Sequence, residues 1–120
     1  MAMSLYERLG AVEGITEIVD DVIAAHLANP IVKTRFENIE DIKRTKKMAA
    51  DFFCAGSGGP QAYTGKDMRE AHQGMNINEQ EYLAVIDDIM QTLEKHGIDD
   101  ATKKDVLAIL YSLKGEIIRV

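Results

Sequence analysis

The 120-residue, 13.3 kDa chain is 46% hydrophobic and 28% charged, an ordinary globular composition that excludes intrinsic disorder. At roughly 100–200 residues per domain, residues 1–120 make one domain with a modest core. A net charge of −6 and a pI near 5.0 argue against nucleic acid, which needs a basic face, and against docking on anionic membrane.

Cys54 stands alone, which excludes an intrachain disulfide and a four-cysteine metal site. Met1 to Arg8 hold no apolar stretch of signal-peptide length, and no run of about 18 apolar residues occurs. The expectation is a cytoplasmic monomer with no membrane span. With no tryptophan and 6% aromatics, aliphatic and methionine side chains must fill most of the core.

Ser4-Leu5-Tyr6-Glu7 is a capping-box pattern and predicts a short helix that stops at Gly10. Ile15, Ile18, Val19, Val22, Ile23 and Leu27 form one apolar stripe and predict a helix over about 12–29, ended by Pro30. Residues 31–36 read as a short helical turn closing on Phe36. A further helix is predicted over about 40–55, with Ile42, Thr45, Ala49, Phe52 and Phe53 inward. Gly56-Ser57-Gly58-Gly59-Pro60 is a strong break, and 61–78 read as loop around a short helix near Asp67–His72 that ends at Gly74.

Asn78-x-x-Glu81 starts the next helix, with Tyr82, Val85, Ile86, Ile89 and Leu93, capped by Gly97. Asp99 or Asp100 starts the last, with Val106, Leu107, Ile109, Leu110, Leu113 and Ile117. No segment alternates with a period of two, so the fold class is all-α.

The segment 56–78 is the anomaly, because a plain helical bundle has no use for a long glycine-rich loop. Of three histidines, His26 reads as partly exposed and His96 complements a helix dipole at its C-terminus. His72 has Met68 one turn earlier and can project into a lipophilic cavity. Its alternative is a structural role. No zinc, EF-hand, Walker or dinucleotide pattern fits. Cys54 lacks an orienting partner and reads as a buried inert thiol. Asp87-Asp88 reads as a solvated face. Lys43-Arg44 and Lys46-Lys47 read as a solvated helix face or as an anchor for ligand carboxylates.

The order and spacing of Gly58-Gly59-Pro60-Gln61-Ala62-Tyr63-Thr64-Gly65 and Ala71-His72-Gln73-Gly74 are specific. So are the opening Ser4-Leu5-Tyr6-Glu7-Arg8-Leu9-Gly10, Val19-Asp20-Asp21, Leu27-Ala28-Asn29-Pro30 and Phe36. With these motifs the chain resembles the group I truncated haemoglobins along essentially its whole length. The resemblance implies a two-over-two α-helical sandwich around haem b, with His72 as the proximal iron ligand and Phe36 wedging the haem. It places Tyr63 and Met68 on proximal haem contacts. Ile77, Tyr82, Val85, Ile89, Val106 and Leu110 fall along the pocket, and Phe52 joins them from the distal helix.

On the gas side the family commonly has a tyrosine where this chain has Ile23, and glutamines where it has Thr45 and Ala49. Ile23 and Ala49 cannot hydrogen-bond bound oxygen, and Thr45 has one short hydroxyl. Met48 stands where cyanobacterial relatives can place a histidine as the sixth iron ligand, so the metal ligands implied are His72 and Met48. A one-residue shift would put Lys47 there, and core packing is the other reading of Met48. Lys43, Arg44, Lys46 and Lys47 are candidates to pair with haem propionates. The function implied is reversible binding of oxygen, nitric oxide or carbon monoxide. Its alternatives are a low-spin, six-coordinate redox protein and nitric oxide dioxygenation with a reductase partner.

Overall fold

The computed structural model describes residues 3–60 and 63–120. Gln61 and Ala62, within the glycine-rich motif, lie outside the described residues. Helices α1 (Leu5–Arg8), α2 (Ala11–Ala28), α3 (Ile42–Gly56), α4 (Met68–His72), α5 (Glu79–Lys95), α6 (Asp100–Ser112) and α7 (Lys114–Ile117) follow in order, with a 3₁₀ turn at Lys33–Arg35. The all-α expectation matches this architecture.

Local chemistry sets the helix starts. Ser4 and Glu7 close a capping box on α1, and Asn78 and Glu81 close one on α5. Asp41, Asp67 and Asp99 each accept a backbone N–H at the start of α3, α4 and α6. Two helix pairs, α2 with α3 and α5 with α6, meet where α2 packs on α5. Ile15, Ile18, Val19, Val22 and Ile23 of α2 and Tyr82, Ile86, Ile89 and Leu93 of α5 are buried in one core.

Gly59 allows a close approach between the loop and α1. A Cβ there would lie 2.5 Å from the Tyr6 ring and 2.8 Å from the Cys54 carbonyl. The loop after α3 therefore folds flat onto α1, and Tyr6 N–H donates to the Ser57 carbonyl at 2.9 Å. Cys54 is fully buried, and burial pushes its thiol pKa up, as an inert core cysteine requires.

Three expectations are corrected. The α2 stripe continues from Val22 and Ile23 to His26, which is buried, while Leu27 is exposed. The last helix is two. Ser112 turns its hydroxyl onto the Ile109 carbonyl, Leu113 caps α6, and α7 follows as a separate short helix. Asp88 is buried rather than solvated, because it faces His26 across the α2–α5 contact.

The C-terminal residues then return to the loop after α4. Ile118 bridges Ile77, Arg119 N–H donates to the Ile77 carbonyl at 2.9 Å, and Gly74 N–H donates to the Val120 carbonyl at 3.1 Å.

Candidate functional site

A cavity of about 500 Å³ lies between the helices. Its volume is within the usual range for a small-molecule or cofactor site. α2 contributes Val19, Val22, Ile23 and His26. The 3₁₀ region contributes Val32, Arg35, Phe36 and Ile39, and α3 contributes Arg44, Thr45, Met48, Ala49, Phe52 and Phe53. Tyr63, Met68, Ala71, His72, Met75 and Ile77 form the wall around α4, and Glu81, Tyr82, Val85 and Ile89 come from α5. Leu110, Leu113 and Ile117 close it.

Most residues singled out from the sequence meet here: Ile23, Phe36, Thr45, Met48, Ala49, Phe52, Tyr63, Met68, His72, Ile77, Tyr82, Val85 and Leu110. Lys43, Lys46, Lys47 and Val106 do not line it. Lys46 reaches back to Asp20 of α2 at 2.6 Å, and Lys47 pairs with Asp51 one turn on at 2.8 Å. Val106 is buried in the core instead. Of the four basic residues on α3, Arg44 is the one that faces the cavity, and it makes no ion pair among the described residues.

The wall's polar atoms are largely committed. Tyr82 donates to the Leu110 carbonyl, and burial pushes its pKa up to about 12. Tyr63 donates to the Lys66 carbonyl, and its ring meets Phe52 edge-on at 5.2 Å. Burial, then the charge of Asp67, raises the Tyr63 pKa. The Thr45 hydroxyl donates to the Asp41 carbonyl at 3.2 Å. Arg35 forks onto Glu81 at 2.7 and 3.1 Å, which holds the carboxyl below its ordinary range and the guanidinium above its own.

The two histidines differ from these groups. Nδ1 of His72 lies 2.7 Å from the Met68 carbonyl oxygen. A carbonyl can only accept, so Nδ1 donates, and in the neutral ring the lone pair is on Nε2. His26 was missed as a site residue, although it follows Val22 by four and Ile23 by three on the buried stripe. It donates from Nδ1 to Asp88 at 2.7 Å and stacks on Phe36 at 4.7 Å. Burial holds its pKa below the ordinary value even beside that carboxylate.

A family model described as bacterial-like globin matches residues 4–119. The Group 1 truncated hemoglobin of Tetrahymena pyriformis is 33% identical over 107 residues, covering 89% of this chain and 88% of that protein. The chain belongs to the truncated haemoglobins. The counterpart from Mycolicibacterium paratuberculosis is 29% identical over 114 residues, covering 95% of this chain and 83% of that protein.

Solved structures agree. The Fe(III) form of the Tetrahymena pyriformis truncated hemoglobin superposes with a TM-score of 0.93 at 30% identity, covering 98% of this chain and all (100%) of that one. The 2/2 hemoglobin of a Synechococcus species superposes with a TM-score of 0.85 at 26% identity, covering 93% and 94% of the two chains.

Haem is the cofactor of this family, and the wall of this truncated haemoglobin fits it on its own chemistry. The His72 ring is held by a carbonyl at Nδ1, the surrounding wall is aliphatic and aromatic, and Arg44, without an ion pair among the described residues, stands in the lining for the porphyrin's carboxylates. Among the described residues no helix is long and apolar enough to cross a membrane.

Proposed function

We propose that this truncated haemoglobin reversibly binds a diatomic gas (oxygen, nitric oxide or carbon monoxide) at haem b held by His72. The observation that carries this reading is the bond from His72 Nδ1 to the Met68 carbonyl, which leaves Nε2 as the nitrogen able to bind iron, on a residue that lines an apolar cavity. Haem, when bound, would supply an iron that the His72 imidazole holds and to which a gas can bind. The Met68 carbonyl orients the ring and, by accepting the hydrogen bond from Nδ1–H, raises the basicity of Nε2. Phe36, Phe52, Val85 and Leu110 offer hydrocarbon to the porphyrin and exclude water. Arg44 pairs with a haem carboxylate, worth about 0–1 kcal/mol at an exposed position.

Ile23 and Ala49 give a bound gas no hydrogen-bond donor, and the Thr45 hydroxyl is turned onto Asp41. A missing donor costs bound oxygen about 1–3 kcal/mol, so carbon monoxide and nitric oxide gain relative to oxygen. The test is the absorption spectrum of the haem-loaded ferrous protein before and after carbon monoxide. A high-spin, five-coordinate spectrum that shifts on carbon monoxide supports the reading. A protein that takes up no haem, or haem that does not respond to the gas, overturns it.

A second reading rests on one observation: Met48 lines the same cavity. Its thioether could serve as an iron ligand, and a histidine–methionine pair would make a low-spin redox centre. Lys47 has no such support, because its side chain is 70% exposed and pairs with Asp51. Met48→Leu separates the readings. A ferric low-spin spectrum that turns high-spin in Met48→Leu identifies methionine ligation, and a spectrum unaltered by the substitution makes Met48 packing.

A further inference from the structure

Gas binding leaves a second imidazole of the cavity without a use. His26 is 3% exposed, lines the cavity, and stands three residues after Ile23 on the same face of α2. Its Nδ1 lies 2.7 Å from Asp88 Oδ2. The Asp88 carboxylate also accepts from Asn29 Nδ2 at 3.2 Å. A carboxylate has no proton to give, so Nδ1 donates, and in the neutral ring the lone pair is on Nε2. Phe36 stacks on the ring at 4.7 Å with an interplanar angle of 28° and fixes its plane.

Among the described residues, Nε2 has no hydrogen-bond partner, whereas Thr45, Tyr63, Tyr82 and Arg35 are all engaged elsewhere. A deeply buried nitrogen with an open lone pair is costly unless it has work to do. The His26–Asp88 pair has the composition of an oriented base: an imidazole whose far nitrogen is held by a carboxylate.

We propose that His26 accepts the proton of small weak acids entering the haem cavity, with Asp88 as its positioning residue. The ligand class is a neutral molecule H–X, such as hydrogen sulfide, hydrogen cyanide or hydrogen peroxide. The H–X bond breaks, the proton goes to Nε2, and the electron pair stays on X as the anion. The Asp88 carboxylate then faces an imidazolium and stabilises it. Carbon monoxide has no proton and needs no such acceptor, so the two ligand types report on different properties of the site. This inference rests on the haem-binding reading.

The experiment is stopped-flow binding to the haem-loaded protein, with hydrogen cyanide on the ferric form and carbon monoxide on the ferrous form. Wild type, His26→Gln and Asp88→Asn are compared. A glutamine amide still donates to Asp88 but has no basic nitrogen. The expected result is that the ratio of cyanide to carbon monoxide association rates falls about tenfold or more in His26→Gln, with a smaller fall in Asp88→Asn. The double variant His26→Leu with Asp88→Leu, which leaves no orphaned charge, is expected to show the same fall as His26→Gln. An unchanged ratio in either His26 variant overturns the proposal and leaves the pair as a tie between α2 and α5. A wild-type protein that takes up haem but does not bind carbon monoxide overturns the gas-binding reading instead.

Discussion

His26 and Asp88 show how a single buried pair ties the chemistry of the cavity to the stability of the fold. Burial lowers the folded-state pKa of His26 below its ordinary 6.5. In acid the unfolded chain therefore takes up the proton first. Stability is full above the unfolded value and falls as pH drops through 6.5 toward the folded value. The thermal midpoint of the wild type is expected to decline over that window, and His26→Gln is expected to flatten the decline. Parallel profiles for the two proteins would refute the assignment.

The same residues show where sequence reading stops. The sequence reading takes His26 as partly exposed although the period of its stripe points inward, and its partner is 62 residues away on another helix, where nothing local marks Asp88 as buried. On α3, each residue advances about 100°, so Arg44 and Lys46 flank the Thr45 stripe on opposite sides. Only packing against α2 decides between them: Lys46 meets Asp20 and Arg44 is left to the cavity.

Among the elements, α4 has the hardest task. It has five residues, far too few for an isolated helix to persist, yet it must present His72 steadily. Asp67 caps its start, with Glu70 N–H at 2.8 Å, and α7 packs against it. The last residues of the chain hold the loop that follows it through Gly74 and Ile77. Removing residues 118–120 deletes the two backbone hydrogen bonds that reach this loop, of about 1 kcal/mol each. Haem transfer to an excess of apomyoglobin is expected to quicken several-fold in that truncation, and an unchanged rate would contradict the role given to the tail. The α4 helix itself was legible from Asp67 and Gly74. The break at Leu113 and the return of the tail were not: a lone serine hydroxyl ends α6, and the tail's partners, Gly74 and Ile77, lie far back in the chain. The capping box of α5 was fully legible, and Asn78→Ala is expected to cost about 1 kcal/mol in urea unfolding. A loss near zero would show that packing alone sets the start of α5.

At the scale of the molecule, two helix pairs enclose a cavity to which α1 alone among the helices before α6 contributes no side chain. That division explains what the sequence revealed. The Gly58-Gly59-Pro60 and Ala71-His72 motifs are local demands of backbone and ligand chemistry, so they survive as patterns. The direction of each basic residue and the burial of Asp88 are products of assembly. The central claim is that one imidazole, held by the Met68 carbonyl, carries the haem. The most direct test is the absorption spectrum of His72→Gly, loaded with haem, before and after addition of free imidazole. The account predicts that the variant loses the wild-type spectrum and its hold on haem, and that imidazole restores both. A variant that keeps the wild-type spectrum without imidazole would contradict it.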